Sequence, residues 1–199
     1  MGMPAVPRIY LAGPEVFMDE DLRQAVVKSK KAILSDLGLQ GVDPMDNNLH
    51  LPKEMTAGEI ALKIYRANIG MINACDGSLV NLTPFRGLSA DAGTVFEVGY
   101  LTALGKPMIG YTMFPGEYKD RFVQDNGDDP AQGIDRHGHF IEDFGQIDNL
   151  MIESAFVTSG GQVVRANSKS ELGELFSSEL FERAANSLVG QLRSRGWQP

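Results

Sequence analysis

The stretch Ala92 to Leu104, AGTVFEVGYLTAL, is small or apolar almost throughout and carries one charge, Glu97. A helix of that composition is expected to be buried on most sides. An unpaired carboxylate is expensive to bury, so a chain keeps one there for a partner, a proton or chemistry. The plainer reading is a structural Glu bonded to a backbone group or a Tyr hydroxyl, and the helix alone does not separate that from chemistry. The preceding loop, Thr83 to Ala90 (TPFRGLSA), ends in Asp91, which is placed to cap the helix. Asp91 and Glu97 are six residues apart, roughly 240° around a helix. They can face one pocket only if Asp91 sits outside the helix and turns its side chain over the first turn. His50, His137 and His139 lack metal-ligand spacing, so no metal site is expected, and nothing signals an organic cofactor.

Those residues need elements to position them, and strand and helix patterns alternate along the chain. Strands are expected at Arg8–Ala12, Gly41–Pro44 (short and weak), Ser78–Leu82 and from Met108 to Tyr111. Helices are expected at Asp19–Leu37 with Gly38 as its C-cap, at Thr56–Ala74, at Gly93–Leu104 and at about 170–194, the last strongly amphipathic. Residues from about 113 to 148 read as a long loop rich in Gly, Asp and Pro. Alternation of this kind implies an α/β fold: a central parallel sheet of four or five strands covered by helices on both faces. Parallel sheets bind ligands at the carboxyl ends of their strands. The segments to search are therefore Gly13–Phe17, Asp43–Asn48 and Thr83–Asp91.

The 199 residues suffice for a single domain with a sizeable core, with no internal repeat and no linker in view. The formal net charge of −8 argues against nucleic acid or an anionic membrane as the main partner. It is compatible with small neutral ligands, and a nucleoside without phosphate suits it better than a nucleotide. No apolar run is long enough to span a bilayer. The N-terminal residues do not read as a secretory signal, and the lone Cys75 fits a reducing cytoplasm.

Four ordered blocks carry a family resemblance. The opening IYLAGPEVF (Ile9–Phe17), Asn68 with the Cys75-Asp76 pair, the stretch NLTPFRGLSADAGTVFEVGYLTALGKPMIGY (Asn81–Tyr111) and EDFGQIDNLMI (Glu142–Ile152) resemble the nucleoside 2-deoxyribosyltransferase family. The resemblance implies a flavodoxin/Rossmann-like three-layer sandwich. It implies Glu97 as a nucleophile at C1′ of the sugar, Tyr10 holding its carboxylate, and Asp91 binding a sugar hydroxyl. Gly13, Pro14, Phe17, Phe85 and Arg86 belong to the matching loops and are substrate-binding candidates. Asn68 and Asp76 fall where the family places base-side or supporting groups. Some members carry Asp at the position of Asn68, where it assists proton transfer to the base; an amide cannot do that. Asn149 would bind the sugar of a neighbouring subunit, so a homo-oligomer with shared sites is implied, acting on 2′-deoxynucleosides and free nucleobases.

Plainer alternatives stand beside these roles. Tyr10 could be core, Asp91 a simple cap, Asp76 the end of a helix, and Asn149 the cap of a helix starting at Leu150. At the level of activity, a hydrolytic N-glycosidase of the same fold and a non-catalytic nucleoside-binding module compete with transfer. GPEVF has no serine for a phosphate, and a single Arg86 is little to hold one.

Overall fold

The computed structural model describes residues 6–47, 49–124, 133–168 and 174–198. Five strands form one sheet: β1 (Arg8–Ala12), β2 (Gln40–Val42), β3 (Gly77–Asn81), β4 (Met108–Thr112) and β5 (Val163–Arg165). Their spatial order is β2-β1-β3-β4-β5 and every pairing is parallel. In register, Tyr10 lies between Val42 and Ser78. This is the flavodoxin-like order, in which the chain moves outward from β1 to β2 and then crosses back to β3. The β1/β3 boundary is its switch point, where loops diverge and leave a crevice.

The helices are α1 (Glu20–Asp36), α2 (Ala57–Ala74), α3 (Ala92–Ala103), α4 (Leu150–Thr158) and α5 (Ser178–Ser194). Strand residues alternate between the two faces. Ile9, Leu11, Leu79, Ile109 and Tyr111 pack with Leu34 of α1 and with Phe181, Ala184 and Leu188 of α5. Tyr10, Ala12, Val80 and Met108 pack with Ile72 of α2, Val98 and Leu101 of α3, and Phe156 of α4. The result is the expected three-layer sandwich, with Tyr10 on the same face as the helix that carries Glu97.

Several expectations need correcting. The weak second strand starts one residue earlier than expected and stops at Val42, because Asp43 caps a 3-10 turn at Pro44–Asp46. The C-terminal helix begins at Ser178, not near 170: Ser177 takes the N-cap and its hydroxyl accepts from Leu180 N–H at 3.4 Å. Residues 174–177 are not helical, and 169–173 lie outside the described residues. The long loop is not bare. It contains a 3-10 helix, Tyr118–Gln124, and a bridge between Ile134 and Phe140, while 125–132 lie outside the described residues. Finally, α3 is not covered on most sides. Leu101 and Val98 are buried, but Phe96 is 52% exposed beside a half-exposed Tyr65 of α2. Gly38 does close α1 with a left-handed backbone, φ +75°, which only glycine adopts without strain.

Candidate active site

The central contact joins β1 to α3. Tyr10 is fully buried and its hydroxyl donates to Glu97 Oε1 at 2.6 Å. The Tyr hydroxyl weighed as a partner for this carboxylate is therefore Tyr10. Tyr10 supplies one hydrogen bond to one oxygen, while Glu97 Oε2 is not engaged by any described residue. Burial pushes Glu97 up to about 7, with the Asp91 charge adding to the rise and the Tyr10 hydrogen bond opposing it. Tyr10 itself is pushed far above its ordinary value, first by burial and then by the charge of Glu97, so it donates as a neutral phenol. Near neutral pH the pair is a carboxylate poised between its two protonation states, with one oxygen oriented and one available.

Asp91 satisfies the geometric condition set above. It is the N-cap of α3, outside the helix, and its Oδ2 accepts from Thr94 N–H at 3.0 Å and Thr94 Oγ1 at 3.2 Å. The cap and the pocket-facing role are compatible, since its charge is felt by Glu97 and Oδ1 has no described partner.

Buried charges that the sequence reading passed over fix the loops around this pair. After β1, Glu15 is 4% exposed and accepts from Lys30 Nζ of α1, from Asn81 Nδ2 at 2.8 Å and from the Tyr111 hydroxyl at 3.1 Å. Lys30 is also enclosed by the rings of Tyr111, Phe176 and Phe181, 5.5–5.7 Å away. Gly13 is needed here because a Cβ would lie 2.1 Å from Glu15 Oε2 and 2.8 Å from Asn81 Cβ. Buried Pro14 opens the 3-10 turn Pro14–Phe17. The signal for Lys30 was legible: it falls four residues from both Val26 and Leu34, on the buried stripe of α1.

On the other side, Asp148 and Arg121, both nearly inaccessible, pair at 3.1 Å. Asp148 also accepts from Ser89 Oγ at 2.5 Å and Ala90 N–H at 2.9 Å, and Arg121 donates to the carbonyls of Leu88, at 2.5 Å, and Ile147. This clamp holds the end of the Thr83–Ala90 loop, and so the entry to Asp91, against the segment before α4. Asp43, at the end of β2, is also buried, and burial raises its carboxyl; its Oδ1 caps the next turn at Met45 N–H, 2.9 Å.

The loops after β1 and β3 meet over the switch point. Phe17, half exposed, stacks on Phe85 with centroids 5.2 Å apart and planes at 16°. The Arg86 guanidinium lies 4.7 Å from each ring. The remaining candidates lie on other elements. Asn68 sits in α2 with its Oδ1 buried and unpaired among the described residues. The fold does not bring Asp76 to the pair: it is exposed, at the amino ends of the strands, accepting from Arg8 N–H at 2.8 Å. Asn149 caps α4, accepting from Met151 N–H at 3.0 Å and donating to Glu142 Oε1 at 2.6 Å. It makes no hydrogen bond to Tyr10 or Glu97. No cluster of three or more His, Cys, Asp or Glu side chains suited to a metal occurs among the described residues. None of the described helices is long and apolar enough to cross a membrane.

A buried carboxylate bonded to a tyrosine, beside loops that meet over the switch point of a flavodoxin-like sheet, defines an α/β protein with a candidate ligand site at the carboxyl ends of its strands. The comparisons make this specific: the nucleoside 2-deoxyribosyltransferase pattern matches residues 9–151, and the chain belongs to that family. An uncharacterised protein of Schizosaccharomyces pombe is 30% identical over 204 residues, covering 96% of this chain and 92% of its own. A 2-deoxyribosyltransferase from Leishmania mexicana superposes with a TM-score of 0.58 at 30% identity, covering 76% of this chain and 95% of its own. A conserved protein from Enterococcus faecalis shares the fold, with a TM-score of 0.54 at 21% identity over 92% of this chain and 98% of its own.

Proposed function

We propose that this protein transfers the 2-deoxyribosyl group between nucleobases through a covalent glycosyl–Glu97 ester. The observation that carries the reading is the Tyr10–Glu97 hydrogen bond of 2.6 Å, which orients one carboxylate oxygen and leaves the other free. Cleavage of an N-glycosidic bond develops positive charge on the sugar ring, and a carboxylate at C1′ both stabilises that charge and captures it. A deoxyribose lacks the electron-withdrawing 2′-hydroxyl, so its cation forms more easily. In the first step Glu97 Oε2 bonds to C1′ as the bond to the base breaks. A second base then attacks C1′ from the side the first one left. Two displacements give net retention, and neither needs a metal or organic cofactor. Water can intercept the ester, so slow hydrolysis accompanies transfer. Asp91 accepts from a sugar hydroxyl in this reading; its support is that Oδ2 caps α3 while Oδ1 has no described partner.

In the same reading the active unit is a homo-oligomer in which Asn149 completes the pocket of a neighbour. Its support is apolar surface: Phe96, Tyr65, Met151 and Val157 are all at least half exposed on the α2–α3–α4 face. The substrates are 2′-deoxynucleosides and free nucleobases, and the expected compartment is the cytoplasm. The test is base exchange. With deoxyinosine and adenine present, deoxyadenosine should form faster than free deoxyribose, with ping-pong initial rates. If adenine changes neither product nor rate, the protein is a hydrolase.

A further inference from the structure

The turn at Arg86 has no task in sugar transfer by Glu97, and the departing base has no acid. Arg86 stands at φ +55°, a conformation that L-residues avoid and that persists only where the surroundings impose it. Here the turn is closed by Phe85 N–H donating to Ser89 O at 3.0 Å, and the Asp148–Arg121 clamp holds the next residues. The guanidinium, 4.7 Å from the centroids of both Phe17 and Phe85, makes no hydrogen bond or ion pair with any described residue. Phe17 ends the 3-10 turn in which Glu15, two residues earlier, is paired with Lys30. The result is a cation held beside two aromatic rings, with no donor spent on a described residue.

Resting on the reading of this site as one for deoxynucleosides, we propose that Arg86 grips the O6/N7 edge of a 6-oxopurine and carries the charge of the departing base. A guanidinium fork matches two neighbouring acceptors in a plane, and hypoxanthine and guanine present O6 and N7 in that way. Adenine presents a donor at position 6, and pyrimidines have no equivalent pair. When Glu97 bonds to C1′ and the C1′–N9 bond breaks, the bonding pair stays on the purine. The charge spreads over N9, N7 and O6. Two N–H donors of Arg86 hold it there until the released base takes a proton from water. No carboxylic acid is then needed on the base side, which accommodates the amide at Asn68. A phosphate would also accept the fork, but Gly13–Phe17 and Thr83–Ala90 contain no second cation to share it.

The experiment compares wild type with Arg86→Gln on deoxyinosine, deoxyadenosine, 7-deaza-2′-deoxyinosine and deoxyinosine 5′-monophosphate. The preference in kcat/KM for deoxyinosine over deoxyadenosine should fall about tenfold or more in the variant. Replacing N7 by carbon should cost wild type about tenfold and cost the variant much less. An unaltered preference, or an equal loss on all four compounds, overturns the proposal. An effect confined to the monophosphate overturns it in favour of a phosphate site. If wild type turns over no nucleoside, the transferase reading fails separately, and calorimetric titration with free hypoxanthine and adenine still reads the contact. A loss of affinity in Arg86→Gln for hypoxanthine alone upholds the edge contact; equal affinities in both proteins refute it.

Discussion

Replacing Glu97 by Gln removes a carboxylate that the fold holds at a cost, and that cost depends on pH. Burial lifts Glu97 from its ordinary 4.5 to about 7, with Tyr10 only partly offsetting it. At about 1.4 kcal/mol per pH unit, the difference is worth about 3 kcal/mol, and nearer 2 once the partial exposure of the group is allowed for. Because the folded pKa lies above the unfolded one, the unfolded chain gives up its proton first as pH rises. Stability is therefore undiminished below about 4.5, falls between about 4.5 and 7, and carries the full cost above 7. Glu97→Gln has no such loss at this position. Urea unfolding of both proteins at several pH values should show a stability gap that is near zero at low pH and grows to about 2–3 kcal/mol in favour of Gln by pH 8. The same variant should lose at least about a hundredfold of transfer activity, since the amide cannot form the ester. A gap that is independent of pH, or a wild type more stable than the variant at pH 8, would refute the idea that the carboxylate is held against its solvation preference.

Four further outcomes follow from the same contacts. Wild-type kcat/KM should fall about tenfold per pH unit below about 7, as the nucleophile is protonated; a flat acid limb contradicts this. Tyr10→Phe removes the hydrogen bond that lowers Glu97, so the acid limb should move to higher pH and the rate drop about tenfold; an unmoved midpoint in the pH–rate profile would assign Tyr10 to the core alone. Asp148→Ala strands the buried Arg121 and should cost about 3–5 kcal/mol in chemical denaturation, whereas a cost under about 1 kcal/mol would mean the clamp is solvated. Glu97→Ala and Asn149→Ala proteins, each nearly inactive, should recover activity when allowed to form mixed oligomers; no recovery despite proven subunit exchange would confine Asn149 to its capping role.

The parts of this fold that were legible in the sequence are those governed by local chemistry. Alternating strand and helix patterns located β1, β3, β4 and α1 to α3, and Gly38 and Asp91 marked helix ends because their backbone and side-chain preferences are local. The single charge in an apolar helix pointed to Glu97, and the opening motif pointed to Tyr10. The contact between them was not readable from periodicity, because it depends on β1 and α3 facing the same layer. Partners distant in sequence were missed for the same reason. Glu15 and Lys30 lie in adjoining elements but meet Asn81 and Tyr111 from two other strands, and Asp148 meets Ser89 across nearly sixty residues. Thus Asp148 read as a loop residue and Arg121 as part of an unstructured stretch, although together they hold the site's loop in place. The expected cover over α3 failed because apolar composition says a face wants burial, not which chain provides it.

The claim that Glu97 is the nucleophile is tested most directly by trapping the intermediate. Incubation with a 2-fluoro-2-deoxy nucleoside should slow the second displacement and leave the sugar on the protein. Peptide mapping by mass spectrometry should then find the added mass on Glu97, and none on the Glu97→Gln protein. An adduct on another side chain, or full turnover with no adduct under conditions that trap a glycosyl ester, would contradict the account.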